Sequence, residues 1–149
     1  MNTVKAQREV FNALIKGSPA KTAVDEHRTF VTLDGYRGFV FNNSEICFNA
    51  ERIADMPQLD CFDCVKDENL LTRTNILVEN PSGGRSYILR CFTRPEGTKV
   101  YARDSWFDIF ENYKVYCRAP ISPLVIVEQI GRGEACISGV VMPTRCKDE

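Results

Sequence analysis

Only one pair of cysteines has a spacing used in metal and redox sites, the CxxC motif of Cys61 and Cys64. Structural zinc usually needs a second ligand pair, and here His27 and Cys47 would have to be recruited singly. A redox dithiol normally lies between a buried strand and a helix start, whereas this pair falls in a polar stretch without periodicity. Zinc or redox use of Cys61 and Cys64 is therefore the less favoured alternative, and the sequence predicts no metal and no cofactor.

The remaining residues form no catalytic constellation. His27 is the single histidine, and a histidine without a second one nearby is typically a surface residue. No GxSxG, HExxH or P-loop motif occurs, and the glycines at 83–84 and 131–133 do not precede a helix as a phosphate cradle requires. The sequence therefore favours a binding protein over an enzyme.

Length and charge set the class of protein. The 149 residues, 44% of them hydrophobic, predict one domain over 1–149 with a core of its own. The net charge of −1 argues against a general nucleic-acid coat. No apolar run is long enough for a membrane span, and residues 1–11 do not form a secretory signal. The odd number of cysteines, seven, then indicates reduced thiols in a cytoplasmic protein.

The first element predicted is a helix over residues 3–16. Apolar residues recur there at the helical period and are expected to face the core: Val4, Val10, Phe11, Leu14 and Ile15. Lys5, Arg8 and Lys16 follow the flank of that face. They are predicted to be either a solvated surface or a basic stripe for phosphates.

Strands dominate the rest of the chain. Residues 28–33 and 36–41 predict a hairpin around the turn Asp34-Gly35, and 45–48 predict a third short strand. Residues 70–79 and 85–92 predict a second hairpin with a loop of about five residues, 80–84. Further strands are expected over 99–102, 113–118, 124–127 and 134–142, of which 124–127 should be buried on both faces.

A second short helix is predicted from Asp104 or Ser105, with its aromatic residues in the core. The total of two short helices and about nine strands indicates an α+β fold with antiparallel sheets. The connection 56–69 suggests a division into two similar halves, 1–69 and 70–149.

Two segments carry a family resemblance. Residues 99–145 follow the order strand, capped helix, strand, Ser-Pro step, strand, and a closing strand that ends Val140-Val141-Met142-Pro143-Thr144-Arg145. Upstream lies the turn Leu33-Asp34-Gly35-Tyr36-Arg37. This order resembles the last domain of the bacterial sliding clamps, the DNA polymerase III β subunit family, which typically closes with Met-Pro-Met-Arg and carries a Thr-Asp-Gly-His-Arg turn. Leu33, Tyr36 and Thr144 depart from the pattern.

The resemblance implies a non-enzymatic DNA-clamp fold with two similar strand-rich halves. Clamps encircle duplex DNA, and an outer hydrophobic pocket binds short motifs of polymerases. Carried over to this chain, the pocket would comprise Gly35, Arg37, Val140, Met142 and Arg145. Charge placement adds Lys5, Arg8 and Lys16 as DNA-facing candidates, although the net charge does not support DNA binding.

A chain of this length fits a single clamp-like domain of phage or mobile-element origin. We expect it to bind a replication or repair protein or to associate with itself, with no membrane involved. The alternative from a different class is a small cytoplasmic interaction domain of unrelated α+β fold.

Overall fold

A computed structural model describes residues 1–56, 61–82, 85–131 and 133–146. Within these residues the fold is α+β, with one α-helix and ten strands in two sheets. The predicted α+β class and the mostly antiparallel character of the sheets are confirmed. None of the helices described is long and apolar enough to cross a membrane.

The larger sheet has seven strands in the order β4-β1-β2-β3-β10-β9-β8. Neighbouring strands are antiparallel except for β1 and β4, which are parallel. The strands are β1 (Ala20–Val24), β2 (Arg28–Leu33), β3 (Arg37–Asn42), β4 (Ala54–Asp55), β8 (Tyr113–Tyr116), β9 (Leu124–Ile130) and β10 (Glu134–Val141).

The smaller sheet has the order β5-β6-β7 and is antiparallel throughout. It consists of β5 (Thr72–Ser82), β6 (Arg85–Thr93) and β7 (Lys99–Arg103). The predicted hairpin is confirmed, but the predicted loop over 80–84 is too long. Asn80 is a buried strand residue paired with Tyr87, and residues 83 and 84 lie outside the described residues.

The larger sheet contains two three-stranded meanders joined at β3 and β10, and the short edge strand β4 extends only the first of them. β3 and β10 pair antiparallel at Phe39 with Gly139, Gly38 with Val140 and Arg37 with Val141. β3 is the inner strand of the meander β1-β2-β3, and β10 is the inner strand of the meander β8-β9-β10. Each meander follows a helical segment, α1 (Thr3–Ile15) before the first and the 3₁₀ turn Asp104–Phe107 before the second.

The prediction of two short helices is wrong, because α1 is the one α-helix described. The segment predicted to be the second forms the 3₁₀ turn Asp104–Phe107, and no side chain caps its start. The aromatic residues Phe107 and Phe110 of this segment are buried in the core, as predicted. The turn stays short because only residues 108–112 separate Phe107 from the start of β8 at Tyr113, which leaves too few residues for a propagating helix.

α1 buries a different face from the one predicted. Its core-facing residues are Ala6, Gln7, Val10 and Ala13, of which only Val10 was predicted. Val4 and Ile15 are 71% and 82% exposed. Small side chains on the buried face let the helix lie close to the sheet, so the larger apolar residues remain on its flank.

The predicted strand over 45–48 is also wrong. The side-chain amide of Gln7 donates to the carbonyl oxygen of Glu45 at 2.9 Å and accepts from the N–H of Cys47 at 2.6 Å. Because this helix side chain satisfies the backbone of the segment, no strand pairing is needed there.

Hydrophobic residues fill both faces of the larger sheet. The main core lies between this sheet, α1 and one face of the smaller sheet, with Phe39, Phe92 and Phe110 at its centre. A second cluster, around Phe30 and Val125, lies on the opposite face beneath the 3₁₀ turn Cys61–Cys64. β9 serves both faces, as predicted, since residues 124–127 are buried throughout.

Candidate functional site

The carboxyl end of β10 borders a cleft of about 380 Å³. Its walls come from residues 99–101 of β7, residues 120–121 between β8 and β9, and residues 142–146 after β10. We call this the β10 cleft. Ile121 is 85% exposed at its mouth, whereas Tyr101 is buried. Lys99 and Arg145 add positive charge to an otherwise mostly apolar lining.

The segment 142–146 joins the two sheets. The N–H of Met142 donates to the carbonyl oxygen of Tyr36 beside β3, at 2.7 Å. The N–H of Thr144 donates to the carbonyl oxygen of Tyr101 in β7, at 2.8 Å. Cys146 is then buried against the smaller sheet. Backbone bonds at two points therefore hold the cleft wall in place.

The structure brings the two segments of the family resemblance together within one chain. Arg37 and Val141 are direct partners across β3 and β10, and Tyr36 binds Met142. Of the five residues predicted to form the pocket, Met142 and Arg145 line the β10 cleft. Met142 is half-buried and Arg145 is exposed, so both are accessible to a partner.

The other three predicted pocket residues have different surroundings. Val140 is buried in the cluster on the opposite face of the sheet. Gly35 has a φ of +72° and forms the hairpin turn with Asp34, whose φ is +56°. Arg37 forms an ion pair of 2.7 Å with Glu9 of α1 and lies over the rings of Phe39 and Trp106.

A group of aromatic and arginine side chains surrounds Trp106. The Tyr36 ring stacks on the Trp106 ring at 6.5 Å. The guanidinium of Arg103 lies 4.1 Å from the ring centroid of Tyr87 and 4.6 Å from that of Trp106. We call Tyr36, Tyr87, Arg103 and Trp106 the Trp106 cluster. Sequence reasoning assigned Trp106 to the core, and it did not single out Arg103.

The basic candidates on α1 are all at the surface. Lys5, Arg8 and Lys16 are exposed, as contact with phosphates requires. They share the exposed side of the helix with Val4 and Ile15. The surface of α1 is therefore both cationic and apolar.

The CxxC pair has the environment of structural cysteines. Cys61 is half-buried and Cys64 is buried. Burial, with the neighbouring Cys117 and Cys61, raises the pKa of the Cys64 thiol to about 11. A thiol with such a pKa is protonated at neutral pH and is a poor nucleophile and a poor metal ligand. The described residues contain no group of three or more side chains that could hold a metal ion.

A larger cavity, of about 730 Å³, lies on the face of the seven-stranded sheet opposite α1. Phe30 and Val40 contribute to its apolar lining, with Asp25, Arg28 and Asp55 among the charged residues. The Asp25 carboxylate accepts hydrogen bonds from the N–H groups of Arg28 and His27, which lower its pKa. His27 itself is exposed.

Comparisons of the chain with protein families, with curated proteins and with solved structures find no match.

Proposed function

We propose that the protein is a non-enzymatic binding module, akin to a single domain of a bacterial sliding clamp. Its β10 cleft would receive a short apolar segment of a partner protein, a replication or repair protein. One observation carries this proposal: the ending Met142 to Arg145, on which the resemblance rests, lines a cleft together with the exposed Ile121.

The chemistry of the cleft suits such a segment. Peptide grooves commonly combine apolar walls with a few polar groups that fix orientation. Here Val100, Pro143 and Met142 supply apolar surface, and Met142 adds an adaptable thioether. A volume of about 380 Å³ fits a few side chains rather than a folded partner.

The strand order supports kinship with clamps. A clamp domain contains two similar halves, and the resemblance implies the same here. In the larger sheet, β3 and β10 each end a three-stranded meander that follows a helical segment. This recurrence supports two similar halves, although β4 extends only the first meander and the smaller sheet precedes only the second.

A library of random peptides displayed on phage tests the cleft. We expect selection on the wild-type protein to enrich apolar peptides that lose binding to Met142→Asp and Ile121→Asp. A matched control is Ile76→Asp, because Ile76 is a half-exposed apolar residue outside the cleft. Enriched peptides that bind all three variants equally would contradict the proposal.

DNA contact by α1 is the second candidate function, favoured by the exposure of Lys5, Arg8 and Lys16. The test is the affinity for a labelled DNA duplex over a salt series, for the wild type and for a variant with all three changed to Gln. If three phosphates are contacted, the slope of log affinity against log salt falls by about 2.7 in the variant, from about 0.9 per phosphate. An unchanged slope would exclude DNA contact by these three side chains.

A further inference from the structure

Arg103 is a cation without a partner anion among the described residues. Its Nε is buried and has no hydrogen-bond partner there. The carboxylate of the adjacent Asp104 is engaged by Arg90 at 2.6 Å. Arg37, the other arginine at the Trp106 ring, is paired with Glu9 at 2.7 Å. A buried donor left without an acceptor costs free energy and calls for an explanation, such as an ion or water.

The position of the guanidinium is fixed by ring contacts. Tyr87 and Trp106 both lie against it, at 4.1 Å and 4.6 Å. Stacking of this kind leaves the N–H groups at the edge of the plane free to donate. A guanidinium held in this way loses little side-chain freedom when it binds a carboxylate or phosphate through two parallel hydrogen bonds.

The β7 strand connects Arg103 to the β10 cleft. Tyr101 lines the cleft, and Arg103 follows two residues later on the same face of the strand, about 7 Å away. Met142, also in the cleft wall, binds the backbone of Tyr36, whose ring stacks on Trp106. A peptide that contacts Tyr101 in the cleft therefore lies about 7 Å, two strand residues, from Arg103.

We infer that Arg103 is an oxyanion-binding residue that takes a carboxylate of the peptide bound in the β10 cleft. The identity of the occupant rests on the proposed function, and the oxyanion site itself does not. The peptide class then becomes specific: apolar residues in the cleft, and an acidic residue or a terminal carboxylate beside Trp106.

The oxyanion site is tested with butyrate and butyramide, which have nearly the same shape and differ in charge. Trp106 is the only tryptophan, so its fluorescence and its indole NMR signal report directly on the site. At constant ionic strength, we expect butyrate to shift the Trp106 indole and Arg103 Nε–H signals, and butyramide to leave both in place. Inorganic phosphate, in a parallel titration, decides which oxyanion binds more tightly.

Two variants make the test specific. Arg103→Met keeps an unbranched side chain against the two rings and removes the charge, and Arg52→Met is the control at an exposed arginine. Loss of the butyrate response in Arg103→Met alone is expected. An equal response in Arg103→Met, an equal response to butyramide, or no response in the wild type would overturn the inference.

Peptides separate this inference from the proposed function. For acidic apolar peptides selected on the wild type, we expect Arg103→Met to reduce affinity about tenfold, the usual effect of losing a charged hydrogen bond. Peptides whose binding depends on Met142 and Ile121 but not on Arg103 would support the cleft as a binding site and contradict carboxylate binding by Arg103. A butyrate response without any cleft-binding peptide would support the oxyanion site and contradict the proposed function.

Discussion

The N–H of Met142 donates a hydrogen bond of 2.7 Å to the carbonyl oxygen of Tyr36. This bond extends the pairing of β3 and β10 by one step beyond Arg37 and Val141. It places the end of β10 beside the turn that comes after β2, although more than 100 residues separate them in sequence. The position of the cleft wall therefore depends on the β3–β10 pair.

The first prediction concerns the backbone at this pair. A Cβ on Gly139 would lie 2.5 Å from the Phe110 ring and 2.8 Å from the carbonyl oxygen of Gly38. We expect Gly139→Ala to lower the free energy of unfolding by about 1–3 kcal/mol, as overpacked cores do. Denaturant unfolding measures this, with the exposed Ala135→Ser of the same strand as control. A loss no larger than that of the control would contradict the close approach.

The second prediction concerns a buried carboxylate. Glu128 is 2% exposed and accepts hydrogen bonds from the N–H of Glu111 at 2.7 Å and the hydroxyl of Ser138 at 2.5 Å. It also binds the amino group of Met1. Glu128→Leu leaves these donors without an acceptor, so we expect a loss of about 3 kcal/mol in the free energy of unfolding.

Glu128→Gln is the matched comparison. It keeps an acceptor for the N–H of Glu111, and the Ser138 hydroxyl can accept from the new amide. The loss should therefore be clearly smaller than for Glu128→Leu. Equal losses in the two variants would mean that the hydrogen bonds do not determine the effect.

The third prediction concerns thiol reactivity. Cys47 is exposed, whereas burial raises the pKa of Cys64 from 9.0 to about 11. At neutral pH we expect iodoacetamide to modify Cys47 well before Cys64 in the native protein, as measured by mass spectrometry of peptides. Modification of Cys64 at the rate of Cys47 would restore the alternative of a reactive CxxC.

The raised pKa of the Cys64 thiol also predicts how folding stability depends on pH. Because the thiol of Cys64 loses its proton at higher pH in the folded state than in the unfolded state, folding stability should fall as pH rises from about 9 to about 11. Burial raises the pKa of Cys117, Tyr113 and Tyr116 as well, which adds to the fall. Cys64→Ala should make the decline in unfolding free energy shallower. A decline of the same steepness would contradict the role of Cys64.

Local sequence patterns predicted most of the strands, and they predicted α1 to within one residue of its end. The hairpin around Asp34 and Gly35 is explained by turn chemistry, since both residues adopt positive φ. The apolar run 124–127 is buried on both faces, as its composition indicates. β1 (Ala20–Val24) was missed because it contains no large apolar residue apart from Val24, which is 58% exposed.

Tertiary contacts determine the features that local sequence patterns did not predict. The buried face of α1 was mispredicted because close packing favoured Ala6 and Ala13 over the larger Val4 and Ile15. The pairing of β3 with β10, which brings Tyr36 to Met142, has no local signal in the sequence. The Trp106 cluster combines Tyr36 beside β3 with Tyr87 of β6 and Arg103 of β7, so sequence reasoning could nominate Met142 and Arg145 but not Arg103.

Mapping a bound peptide by NMR tests the central claim most directly. With an apolar peptide selected on the wild-type protein, we expect the largest backbone amide shifts in residues 99–101, 121 and 142–146, excluding Pro143. Shifts concentrated instead at Thr22 to Phe30 and around Phe62, which line the cavity on the other face, would contradict the assignment of the β10 cleft as the binding site.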